Sequence, residues 1–130
     1  MCIYADKNAI SYAYSDISTG EIKVAEYSGD NIDEYINDQI VRIMPSEIIC
    51  NKQMMELSKS LVCFLRDGYR FSEYFDWAFN QADAEKQIMQ QYGLKSLKGF
   101  DIDSKMCVAP IGALLSYFQE RGWNHFKSCL

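Results

Sequence analysis

Histidine is almost missing from this 130-residue chain, proline occurs twice, and no two of its five cysteines form a C-x-x-C or C-x-x-x-C pair. Each scarcity excludes something. One histidine, His125, and cysteines at Cys2, Cys50, Cys63, Cys107 and Cys129 give no zinc-ligand spacing. An odd, scattered set is also a poor disulfide framework. The reading is reduced thiols, buried as small apolar groups in a cytoplasmic protein. Basic charge is in deficit: 13 lysines and arginines against 18 acids leave a net charge of −5. The basic residues never gather more densely than two in four, so the basic face of a nucleic-acid binder is absent. No apolar run approaches bilayer-spanning length, and no basic-apolar-small signal segment opens the sequence. A cytoplasmic location with no membrane partner is expected. No glycine is followed five residues on by Gly-Lys, so a nucleotide-binding phosphate loop is missing.

What the chain does have is ordinary globular material. Apolar residues make up 48% and charged residues 24%, enough burial to offset the entropy of chain ordering. No linker, repeat or low-complexity stretch divides it, which predicts a single domain over residues 1–130. The first regime is strand-like. Residues 1–5 are apolar and end in Asp6-Lys7-Asn8, a turn composition. Residues 9–17 alternate, with Ile10, Tyr12 and Tyr14 on one face and Ala13, Ser15 and Ile17 on the other. Ser18-Thr19-Gly20 predicts a turn, and residues 21–27 a third strand, completing an antiparallel meander.

The second regime alternates helix and strand. Asn31 with Glu34 makes a capping-box pattern, and Ile32, Tyr35, Ile36, Ile40 and Ile43 form one stripe, with Arg42 in the last turn and Pro45 as the stop. Residues 46–50 predict a short buried strand. Residues 52–66 predict one helix, with Met54, Leu57, Leu61 and Phe64 aligned and Gly68 as terminator; residues 69–74 predict a fifth strand. Asn80 caps a helix over residues 81–92, with Ala84, Ile88 and Tyr92 on one face and Gly93 at its end. After a loop at 95–103, a last helix covers residues 107–121, where Pro110 is tolerable only in the first turn. Three antiparallel strands followed by two right-handed crossovers predict a mixed five-stranded sheet flanked by helices, an α/β fold of ribonuclease H-like type.

That fold invites a nuclease reading. Two-metal phosphoryl hydrolysis needs several carboxylates converging on paired ions. The first strand has no acid before Asp6, the fourth has only Glu47, and Asp6 and Asp16 suit turns. No catalytic and no metal residue is therefore assigned. His125 and Cys129 lie four apart, but in a tail with poor packing signals. Tyr69, Phe71, Tyr74, Phe75, Trp77 and Phe79 are interleaved only with Arg70, which favours core packing over base stacking. The helix over 81–92 carries Asp83, Glu85, Lys86, Gln87, Gln90 and Gln91 beside its apolar stripe, a surface polar enough for water and able to hydrogen-bond a protein partner.

Four segments then fall into a pattern. Tyr14-Ser15-Asp16-Ile17-Ser18-Thr19-Gly20-Glu21, Met44-Pro45-Ser46-Glu47-Ile48-Ile49, Leu97-Lys98-Gly99-Phe100 and Gly112-Ala113-Leu114-Leu115-Ser116-Tyr117 resemble, in order and separation, the connector domain (domain II) of the MutS family of DNA mismatch repair proteins. The resemblance covers residues 2–118; residues 121–130 form a weakly matched tail, and Pro110 stands where the family usually has alanine. It implies a noncatalytic, ribonuclease H-like block that links a mismatch-binding domain to an ATPase body and offers a docking surface to MutL. ATP and magnesium belong to the parent's ATPase domain, so no cofactor is expected in this chain. DNA is met only through the parent protein. The matching helix of the family faces MutL, which implies Asp83, Lys86, Gln87, Gln90 and Gln91 as partner-binding residues. Trp123 and Phe126 are expected to have faced a neighbouring domain. The alternatives are a ribonuclease H-like nuclease and an interaction domain of a diverged MutS paralogue.

Overall fold

The computed structural model describes residues 1–16, 21–93 and 105–121. Strands β1 (Cys2–Asp6), β2 (Ala9–Asp16) and β3 (Glu21–Ser28) form the antiparallel meander. Helix α1 (Ile32–Ile43) crosses to β4 (Glu47–Cys50), which runs parallel to β1. Helices α2 (Lys52–Leu57) and α3 (Lys59–Gly68) cross to β5 (Arg70–Glu73), parallel to β4. A 3₁₀ turn (Asp76–Phe79) leads to α4 (Gln81–Tyr92), and α5 (Lys105–Glu120) is the last element described. The sheet order is β3-β2-β1-β4-β5. This is the mixed five-stranded sheet the pattern predicts, flanked by helices and consistent with a ribonuclease H-like arrangement.

The period of two along β1 decides the layering, because its alternate side chains enter two separate cores. Cys2 and Tyr4 pack with Ala84, Ile88, Val108 and Leu114 on the α4–α5 side. Ile3 and Ala5 pack with Ile36, Ile40, Met54 and Leu65 on the α1–α3 side. A strand buried on both faces reads as a continuous apolar run, which is why residues 2–5 do not alternate in polarity. β2 alternates as expected: Ile10, Tyr12 and Tyr14 join the α1–α3 core, and Ala13 joins the other.

Asn51 closes the ladder where strand pairing stops. The last β1–β4 pair is Ile3 with Cys50. Beyond it, Asn51 Nδ2 donates to the Ala5 carbonyl (2.9 Å), while its Oδ1 accepts from the Ala5 amide (3.0 Å) and from the Met54 amide (3.2 Å). One buried side chain thus extends the sheet and caps α2.

Four local expectations need correction. Asn31 does not cap α1 with its side chain; it sits in the left-handed region at φ 60°. The chain reaches it through a turn in which the Tyr27 hydroxyl donates to the Asp30 carbonyl (2.6 Å). The helix expected over 52–66 is two helices. Ser58 is extended (φ −153°), and its Oγ accepts from the Leu61 amide to start α3 afresh. A nonhelical residue resets the phase, so Leu61, Val62 and Leu65 turn inward and Phe64 turns out, 53% exposed. Finally, Pro110 lies inside α5, beyond its first turn, because the helix begins two residues earlier than expected. It leaves the Met106 carbonyl without its helical donor, a defect of about 3 kcal/mol. The unbroken burial of residues 108–116 offsets it. The Ser18-Thr19-Gly20 turn, the 95–103 loop with its Leu97–Phe100 motif, and the tail residues Trp123, His125, Phe126 and Cys129 lie outside the described residues. Among the described residues no helix is long and apolar enough to cross a membrane.

Candidate docking surface

Helix α4 is well delimited by its own residues. Asn80 is extended, and its Oδ1 accepts from the amides of Ala82 (3.0 Å) and Asp83 (3.3 Å). The Asp83 carboxylate in the first turn faces the positive end of the helix dipole. Gly93 ends the helix at φ 66°, a left-handed conformation that favours glycine, and its amide donates to the Met89 carbonyl. Inward, α4 buries Ala84 and Ile88 completely. Gly112 of α5 lies directly under Ala84: a Cβ on Gly112 would fall far inside contact with both Cβ and Cα of Ala84, and 3.1 Å from its carbonyl carbon. The two helices therefore touch backbone to backbone.

This packing sorts the five predicted partner-binding residues. Asp83, Lys86 and Gln90, spaced i, i+3 and i+7, form one exposed stripe. Gln87 and Gln91 sit on its flank and are half-buried, and Gln87 Oε1 is buried without a hydrogen-bond partner. The helix brings all five onto one element, with three fully presented to solvent. Gln81 Nε2 donates to Glu85 Oε1 (3.2 Å), which engages Glu85 along the helix.

Comparison with known proteins identifies the family of the chain. The MutS domain II family matches residues 1–126. The chain belongs to the MutS domain II family. It is 32% identical over 109 residues to the DNA mismatch repair protein MutS of Chlamydia trachomatis serovar D, covering 82% of this chain and 13% of that protein. It is 31% identical over 111 residues to the MutS of Treponema denticola, covering 83% and 12% respectively. With the MutS of Parabacteroides distasonis the identity is 30% over 131 residues, 96% of this chain and 14% of the relative. The chain thus spans about one eighth of the length of the MutS proteins it matches.

Other chemistry-bearing groups of this MutS domain II chain fall elsewhere. Where ribonuclease H-like nucleases place an acid on the first strand, β1 carries buried Ile3 and Tyr4. At the end of β1 and β4 a cleft of about 600 Å³ opens between α2 on one face and the 3₁₀ turn and α5 on the other, lined by Asp6, Glu56 and Asp76 among others. The Lys105 ammonium lies 5.8 Å above the Tyr4 ring. Its pKa is raised first by a hydrogen bond to Tyr4, then by the fields of Tyr4, Asp6 and Asp76. Lys105 shares the lining of the cleft with Asp6 and Asp76. Glu47, at the start of β4, pairs with Arg121 (3.8 Å). Of the aromatic run, Phe79 is buried but Phe75 and Trp77 are not; they stack on each other at 6.0 Å and are 55% and 54% exposed. Composition does not signal this, because a 3₁₀ turn has neither the helical nor the strand period.

The thiols divide in the same way. Cys2 and Cys50 are buried, as expected, but Cys63 on α3 is exposed. Burial pushes the Cys50 thiol up to about 12, with the Glu73 charge adding, and burial raises Cys2 too. We expect iodoacetamide at mildly alkaline pH to label Cys63 and to spare Cys2 and Cys50 in the folded chain, as read by peptide mass mapping. A folded-state pKa above the unfolded value of 9.0 favours folding below that value, and this contribution is lost as pH rises toward 12. The urea midpoint should therefore fall above pH 9, and less steeply in Cys50→Ala. Identical slopes in the two chains would refute the assignment.

Proposed function

We propose that this chain is the noncatalytic connector domain of a MutS mismatch repair protein. In this reading it links the mismatch-binding domain to the ATPase body and presents α4 to MutL. Asp83, Lys86 and Gln90 make the contact, with Gln87 and Gln91 at its margin. The observation that carries the docking role is the exposed polar stripe of α4, on a helix whose backbone packs directly against Gly112. A stripe on a rigid element holds its hydrogen-bonding groups in fixed geometry, which lowers the ordering cost of binding. ATP and magnesium act in the ATPase domain of the parent protein, DNA is reached through the mismatch-binding domain, and the location is cytoplasmic. The noncatalytic reading is supported by the buried, acid-free centre of β1.

The test is an NMR titration of the labelled chain with the amino-terminal domain of MutL from the same organism. Amide shifts should concentrate on residues 82–91. Lys86→Glu with Gln90→Ala should weaken binding roughly tenfold, since polar contacts at an interface typically govern dissociation. Gln87→Ala should do less. Shifts centred on another face of the domain would overturn the assignment of α4.

A further inference from the structure

On the opposite side of the sheet, α1 and α3 leave a shallow groove of about 320 Å³, lined by Asp33, Glu34, Asn37, Ser60, Leu61 and Phe64. Its lining contains two carboxylates and no cation. Asn37 Oδ1 is a buried acceptor with no donor. Phe64 presents its ring to solvent, 53% exposed, as a consequence of the phase reset at Ser58. On the same side of α1, Val41, four residues after Asn37, is 60% exposed, and Met44, the residue that ends the helix, is 80% exposed. Among the described residues, Val41 on α1, Met44 just past its end and Phe64 on α3 thus expose large apolar side chains on the two helices that also carry the acidic first turn of α1.

We propose that this groove docks a basic amphipathic helix of a partner protein. Lysine or arginine side chains of that helix meet Asp33 and Glu34, and its apolar side chains lie on Phe64 and Leu61. Charge complementarity selects this occupant. An acidic groove on a chain of net charge −5 repels nucleic acid, an anionic membrane and a second copy of itself. Favourable placement of acids near the α1 dipole accounts for Asp33 and Glu34 as helix residues. It does not account for an exposed phenylalanine across the groove from them. A basic helix supplies donors for the acidic end and apolar surface for the ring, a helix-in-groove arrangement.

The experiment titrates the labelled 130-residue chain with a designed lysine–leucine amphipathic helical peptide. A glutamate–leucine helix of the same length serves as control. The expected result is amide shifts on residues 33–38 and 60–65 with the basic helix and none with the acidic one. Asp33→Asn with Glu34→Gln should weaken binding about tenfold at low salt. Phe64→Ser, which removes the ring at constant charge from an exposed position, should weaken it comparably while leaving the melting temperature unchanged. Equal binding of the acidic helix would overturn the proposal. So would shifts scattered over the whole surface, or shifts insensitive to both variants. Failure of α4 to bind MutL would leave this result untouched, since the two surfaces lie on opposite faces of the sheet.

Discussion

Gly112→Ala should cost the domain about 3 kcal/mol, because overpacking that forces backbone movement lies at the upper end of small-to-large penalties. Helix propensity alone predicts the opposite, a gain of about 1 kcal/mol for replacing glycine in a helix interior. The two effects have different signs, so the measurement decides between them. The steric term wins because the added Cβ meets the Ala84 Cα and carbonyl carbon as well as its Cβ, and backbone cannot rotate away. For a chain of this size the expected fall in melting temperature is roughly 10 °C. Ala84→Gly in the same background removes one of the colliding atoms and leaves the others, so it should restore only part of the loss. A Gly112→Ala chain that melts at or above the parent temperature would show that α4 and α5 are not in backbone contact. Such a result would remove the close helix packing on which the proposal of α4 as a docking surface depends.

The second large effect is at Asn51. Asn51→Ala removes partners from three backbone groups at once: the Ala5 amide, the Ala5 carbonyl and the Met54 amide. Unpaired buried polar groups cost about 1–3 kcal/mol each, and neighbouring losses share relaxation, so about 3 kcal/mol in total is expected. Asn51→Asp separates donor from acceptor. The carboxylate keeps both amides but opposes the Ala5 carbonyl, to which only the protonated acid donates. Its folded-state pKa should therefore lie above the unfolded value, and the stability of the variant should fall as pH rises through the carboxylate range. Urea unfolding of the three chains at mildly acidic and neutral pH reads this directly. Full neutral-pH stability of Asn51→Asp would sink the role assigned to the Nδ2 donor.

These sites show what sequence could and could not disclose. Asn80 and Asn31 look alike on paper, each a capping residue before an amphipathic run. Asn80 is extended and caps; Asn31 is left-handed and does not, because the preceding turn at Gly29 and Asp30 sets its backbone. The turn depends on a hydrogen bond from Tyr27, which no residue-type pattern encodes. The run from Lys52 to Gly68 keeps plausible helical spacing throughout, so the break at Ser58 is invisible until the Ser58 side chain is seen accepting from Leu61. The sheet was legible because its period of two and its turn residues are local signals. On α4, the exposure of Asp83, Lys86 and Gln90 follows from helical phase alone. The partial burial of Gln87 and Gln91 does not, because it is set by how the helix seats in the folded domain, a tertiary fact. Phe75 and Trp77 escaped for the same reason: apolar composition predicts burial on average but carries no direction without a period.

The parallel seam between β1 and β4 also bears on how this chain is made. β1 finds β2 within a few residues, Cys2 opposite Ala13, but its other neighbour is far off, Cys2 opposite Ile49. The meander can therefore close early, while its most apolar strand keeps one bare edge. At ribosomal rates the delay before β4 emerges is about 2–10 s. For that interval the nascent chain carries an unpaired, water-poor strand, the kind of edge that recruits other chains. The hazard would lie with the growing polypeptide, and it ends when Asn51 arrives to tie off the end of β1.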